Sequence, residues 1–163
     1  MPSPGARTPP QGRGPDTEGV SGTVVGFDFG AKRIGVAVGE TSTGIATPLG
    51  AIEEEANAAR LREIDKLAAQ WHPVAFVVGQ PRHADGSAHA VAALAAKFAR
   101  RLAARYRVPV VMVDETLTSA TAEAQLRATR TRAGRKSDID ALAATLILQS
   151  YLDRPEGHEH VAS

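Results

Sequence analysis

The chain has 163 residues, 43% apolar and 23% charged, enough for one domain with a sizeable core. No apolar run nears the ~18–20 residues of a membrane span, and no apolar stretch at the start marks a secretory signal, so no membrane partner is expected. The absence of cysteine excludes disulfides, thiolate–zinc sites and thiol nucleophiles and fits a cytoplasmic protein, while a net charge of +1 is too small to indicate nucleic acid unless the charges cluster.

Residues 1–21 are rich in Pro and Gly, offer almost nothing to bury, and are expected to be a disordered extension. Thr23–Asp28, Ile34–Val38 and Ile45–Ile52 read as three strands joined by glycine-containing turns, with Pro48 marking the third as an edge or irregular strand. Glu53–Trp71 reads as a helix with Leu61, Ile64, Leu67, Ala68 and Trp71 on one stripe. Val74–Val78 is a short apolar strand, and Gln80–Ser87 is a polar loop. Ala88–Tyr106 is a helix expected to turn Val91, Leu94, Ala95, Phe98 and Leu102 inward. Val108–Val113 is a β-branched strand ending in Asp114 and Glu115. A helix over Thr118–Ala128, a basic loop over Thr129–Lys136, a last helix over Ser137–Leu152 and a polar tail from 154 to 163 complete the chain. Three leading strands imply an antiparallel meander, and later strands alternating with helices imply parallel additions. The expected fold is α/β: a mixed five-stranded sheet with helices on both faces, spanning 22–153.

Three carboxylates stand where such a fold would place a site. Asp28 ends the first strand beside Gly30, and Glu115 follows a strand that reads as parallel, where open α/β sheets gather ligands. Asp140 shares a helix face with Ala144 and Ile147, which would aim it at the sheet. Acids converging without Cys or His make an oxygen-rich site suited to Mg²⁺ or Mn²⁺, and two such ions about 4 Å apart can clamp a phosphodiester. Each acid also has a plainer reading. Asp28 fits a turn, Glu115 a solvated strand end, and Ser137-x-x-Asp140 a helix capping box.

Four segments in register resemble the YqgF/RuvX family, related to the RuvC-type Holliday junction resolvases of the RNase H-like superfold. They are Gly26-Phe-Asp-Phe-Gly-Ala-Lys-Arg-Ile-Gly-Val-Ala, Val77-Val-Gly-Gln-Pro with Asp85-Gly-Ser87, Val113-Asp-Glu-Thr-Leu-Thr-Ser119, and Lys136-Ser-Asp-Ile-Asp-Ala-Leu-Ala-Ala144. The resemblance implies an RNase H-like fold and a metal-dependent nuclease that trims the 5′ end of precursor 16S ribosomal RNA in a bacterial cytoplasm. By position, Asp28, Glu115 and Asp140 would be its catalytic and metal-binding acids. Thr116 stands where the family usually has Arg, Gln80 and Arg82 flank Pro81 where it commonly has apolar residues, and Gly39-Glu40 replaces its frequent Ser-Asp.

The basic residues are unevenly spread. Arg127, Arg130, Arg132, Arg135 and Lys136 precede Asp140 without an intervening acid before Asp138, Lys32 and Arg33 follow Asp28, and Arg82 lies in the loop after the fourth strand. A rim of this kind around an acidic centre suits a nucleic-acid backbone. With Trp71 and Phe98 on core stripes, no base-stacking platform is evident. Precursor rRNA is the first expected partner and structured DNA the second, bound by a monomer or homodimer. Competing readings are a DNA junction resolvase, a non-catalytic binding module on the same fold, and an actin-like ATPase, which would need a second such domain and phosphate loop.

Overall fold

The computed structural model describes residues 21–80, 86–114, 136–156 and 159–161. Among these, β1 (Thr23–Asp28), β2 (Ile34–Glu40), β3 (Ile45–Ile52), β4 (Ala75–Gln80), β5 (Val110–Asp114) and β6 (Glu159–Val161) form one sheet in the order β3-β2-β1-β4-β5-β6. The β1–β2 and β2–β3 pairs are antiparallel, β1–β4 and β4–β5 parallel, and β5–β6 antiparallel. The meander followed by parallel additions is therefore as expected, but the sheet has six strands and not five. The sixth lies in what reads as a polar tail. Only Val161 of its three residues is apolar, and the strand is held by pairing its backbone with β5, which periodicity cannot reveal.

Strand alternation divides the core between two faces. On one, Val25, Phe27, Ile34, Val36, Phe76, Val78, Val110 and Met112 lie beneath α1 (Asn57–Trp71) and α2 (Gly86–Tyr106). On the other, Val24, Ala37, Val77, Val111 and Val113 meet Ala144, Ile147, Leu148 and Tyr151 of α3 (Lys136–Asp153). Leu148 is fully buried, worth about 2 kcal/mol for its side chain. The face under α1 and α2 is aromatic: Phe27 stacks on Phe76 at 5.7 Å and meets Phe98 edge-on at 5.6 Å.

Helix α1 begins at Asn57 rather than Glu53, because Ala56 is extended (φ −73°, ψ 137°) and caps it; ahead of the cap, the Glu54 carbonyl accepts a hydrogen bond from the Arg60 guanidinium at 2.7 Å. It ends at His72, whose left-handed backbone (φ 48°) lets its N–H close on the Ala68 carbonyl at 2.9 Å. Leu94, expected inside α2, is 47% exposed. The buried stripe runs through Ala95, Phe98, Ala99 and Leu102, leaving Leu94 on its flank. Asp65 ties the two helices, accepting from Arg105 Nε at 2.9 Å, Arg105 Nη2 at 2.6 Å and the Tyr106 hydroxyl.

Strand β3 is an edge strand, as Pro48 predicts, with a register shift opposite Val36 and Ala37. Ile45 and Leu49 on it are exposed. Gln149 of α3 reaches its start, accepting from the Ala46 N–H at 3.0 Å and donating to the Gly44 carbonyl at 2.7 Å.

Candidate active site

Asp28 closes β1, the strand with β2 on one side and β4 on the other, and points to the α3 face in step with Val24. Its partners across the sheet are Gly35 on β2 and Gly79 on β4, so neither neighbour brings a side chain to that face. Both glycines are needed for close approach. A Cβ on Gly35 would stand 1.9 Å from the Asp140 carbonyl oxygen, and one on Gly79 would stand 2.3 Å from Ile147 Cδ1. The start of α3 therefore rests directly on the backbone beside Asp28. Paired strand residues lie ~5 Å apart, which puts the Asp28 and Asp140 backbones within about 9 Å of each other.

Asp140 is the fifth residue of α3. Because the helix begins at Lys136, Ser137 stands inside it and not at its cap. The Asp140 carboxylate reaches Arg33, whose Nε donates to Oδ2 at 2.5 Å. That hydrogen bond first, and the charge of Asp140 second, raise the Arg33 guanidinium above its ordinary value. Arg33 ends the turn from Phe29 to Arg33, and Lys32 within it is exposed. Lys136 opens α3 on the helix end that carries Asp140.

Sequence reasoning gave Arg60 no role beyond α1, yet it is 3% exposed, the one buried charged side chain among the described residues. Its Nη2 donates to the Gly30 carbonyl at 2.9 Å and the Ala31 carbonyl at 2.8 Å, and its guanidinium lies 5.4 Å from the Phe29 ring centroid. Burial lowers its pKa. The available signal was a charge beside an apolar stripe, one position before Leu61. Gly35 and Gly79 carried a clearer signal, since glycine inside a strand marks close approach of another backbone or ligand.

Glu115 and Thr116, Arg82, and Arg127, Arg130, Arg132 and Arg135 lie outside the described residues, as do residues 1–20 and the helix expected over Thr118–Ala128. Among the described residues no cluster of three or more His, Cys, Asp or Glu is placed to hold a metal ion. The described donors are the two carboxylates. Both are hard oxygen ligands of the kind Mg²⁺ or Mn²⁺ takes, and the Asp140 main chain, packed on Gly35, brings its residue close to the strand end that carries Asp28.

A meander continued by parallel strands, with an acid at the end of the strand where the two halves meet, defines an RNase H-like α/β protein. Solved structures share this fold. RuvC of T. thermophilus in complex with a Holliday junction substrate aligns with TM-score 0.55 at 18% identity, covering 85% of this chain and 98% of that one. The fowlpox virus Holliday junction resolvase aligns with TM-score 0.51 at 11% identity, covering 80% of this chain and 97% of that one. Sequence comparison is more specific. The RuvX family, described as Holliday junction resolvase, matches residues 22–154. A protein of Dechloromonas aromatica named "Putative pre-16S rRNA nuclease" is 52% identical over 135 residues, 82% of this chain and 92% of its own length. A protein of the same name from Thiobacillus denitrificans is 52% identical over 134 residues, 81% of this chain and 92% of its own. The chain belongs to the RuvX family, and with it to the hydrolases that act on phosphodiester bonds.

Proposed function

We propose that the protein is a divalent-metal-dependent nuclease that trims the 5′ end of precursor 16S rRNA. The observation that carries this reading is the placement of Asp28 between two glycines, with Asp140 seated on one of them. Glu115 joins them as the third acid. Val111 and Val113 of β5 face α3, and Glu115 stands two residues beyond Val113 in the chain. The three carboxylates would hold Mg²⁺ or Mn²⁺, which supplies an activated water and charge stabilisation at the leaving oxygen. Asp28, on a central strand, gives the fixed reference point of the site. Asp140 enters from the helix, and Arg33 holds one of its oxygens.

Lys32, Arg33, Arg82, Arg127, Arg130, Arg132, Arg135 and Lys136 would receive the sugar–phosphate backbone. Lys32 and Arg33 follow Asp28 in the first turn, and Lys136 shares a helix end with Asp140. Support for the rRNA substrate comes from the name carried by the relatives of 42–52% identity. The nuclease domain is taken as 22–153. It works in the cytoplasm, and no described helix is long and apolar enough to cross a membrane. A second reading, cleavage of four-way DNA junctions, is favoured by the family description.

The test is cleavage by the purified protein of a 5′-extended 16S precursor and of a four-way DNA junction, each with Mn²⁺ and with chelator. Metal-dependent trimming of the RNA, lost in Asp28→Asn, is the expected result. Cutting of the junction alone would select the second reading, and cleavage surviving in chelator would reject the metal.

A further inference from the structure

The geometry points to Arg60 as the positioning residue that fixes the separation of Asp28 from Asp140; this rests on the metal-site reading above. The turn from Phe29 to Arg33 adjoins both acids. Asp28 immediately precedes it, and Arg33, which grips Asp140, closes it. Such a turn would ordinarily be mobile, since its backbone carbonyls are outside any ladder. Here the Gly30 and Ala31 carbonyls both accept from one guanidinium nitrogen, and Nε of the same group is anchored on the Glu54 carbonyl ahead of α1.

The anchor is itself rigid. Arg60 is buried, its guanidinium is close to the Phe29 ring, and Phe29 packs on Phe98 at 5.2 Å in the aromatic core. The turn is also tight: a Cβ on Gly30 would lie 2.6 Å from the Arg33 carbonyl oxygen. One planar cation thus joins the core under α1 to the turn at two consecutive carbonyls. Because burial of an unpaired guanidinium is costly, its hydrogen bonds cannot be exchanged for solvent while the core is closed. Arg60 donates to backbone carbonyls of the turn and of the approach to α1, so it acts on the acids through the turn.

The test measures Mn²⁺ affinity by calorimetry, together with amide exchange over residues 29–33, well below the melting temperature of every variant. Arg60→Met keeps bulk and apolar contact but removes all three hydrogen bonds. Leu102→Ala, a fully buried change on α2 in the same core, serves as a destabilised control. Expected for Arg60→Met is at least a tenfold loss of Mn²⁺ affinity with faster exchange in the turn, while Leu102→Ala stays within twofold of wild type. If Arg60→Met does not fold, Arg60→Lys, which keeps a donor for part of the set, carries the comparison with an expected loss of about threefold. Affinity within twofold of wild type in the folded Arg60 variant, or an equal loss in Leu102→Ala, overturns the inference. Asp28→Asn measured in parallel separates the two failures. If it too leaves Mn²⁺ binding intact, the metal-site reading falls; if it abolishes binding while the Arg60 variant does not, only the role of Arg60 falls.

Discussion

Replacing Gly35 by alanine adds one methyl group with no chemistry of its own, yet it should disable the site. The new Cβ would sit 1.9 Å from the Asp140 carbonyl oxygen, and ordinary contact begins at 3.4 Å. Strand and helix must therefore part by about 1.5 Å. The obstacle is main chain, so no side-chain rotation relieves it, and α3 is held at its other contacts by Ile147 and Leu148 in the core. Overpacking of this kind costs about 1–3 kcal/mol. The effect on chemistry should be larger, since functional groups must be held to within about 0.5 Å and a 1 Å error can cost ~100-fold. Thermal unfolding, Mn²⁺ titration and cleavage of the RNA precursor would be measured on one preparation. A folded protein with cleavage down at least ~100-fold is expected. Gly79→Ala supplies the comparison: its Cβ would meet the Ile147 side chain, 2.3 Å from Cδ1, rather than main chain, so its loss of cleavage should be smaller. A Gly35→Ala protein that cuts at the wild-type rate would refute the claim that Asp140 must approach Asp28 through this contact.

Asp140→Asn removes an ion pair whose side chains are 31% and 21% exposed, so stability should change by less than ~1 kcal/mol while metal-dependent cleavage is lost; a large fall in melting temperature with cleavage retained would make Asp140 structural only. Leu148→Ala should destabilise by about 2–5 kcal/mol in denaturant titration, because the side chain is fully buried between α3 and the sheet, and a smaller cost would mean that face is loosely packed. Arg105, then Tyr106, holds the Asp65 carboxyl at about 2, below its ordinary 3.8. Its stabilising effect is therefore present above pH ~4 and lost as pH falls towards ~2; Asp65→Asn should flatten that part of the acid stability curve by under ~1 kcal/mol, given that Asp65 is 42% exposed. Neutralising Arg130, Arg132 and Arg135 together should weaken RNA binding broadly and reduce its dependence on salt, by about 0.7 in log–log slope for each phosphate that is no longer neutralised; unchanged affinity at low salt would remove the loop from the interface.

Much of the architecture was legible in the residues because it rests on period. Alternation marked the strands, and helical stripes such as Ile64, Leu67 and Trp71 marked faces that do pack inward. The inner face of α3 was legible for the same reason, since Ala144 and Ile147 mark it by their spacing. What escaped was whatever depends on contact rather than period. Arg60 is one charge beside an apolar stripe, and nothing local says that two carbonyls some thirty residues earlier require it. Leu94 fits the helical period but lies on the flank of the stripe that Ala95, Phe98 and Leu102 bury. The sixth strand has too little apolar content to be seen before β5 is there to pair with it.

The outer border of the sheet at β3 carries a further consequence. Alternate residues of an edge strand direct their N–H groups outward, where a foreign strand could dock. Ala46 already gives its N–H to Gln149, and Pro48, in the same phase, has none to give. The slip opposite Val36 and Ala37 then spoils the spacing of whatever follows. Ile45 and Leu49 are greasy enough to invite runaway strand-on-strand polymerisation, and this border denies such an intruder a continuous row of donors.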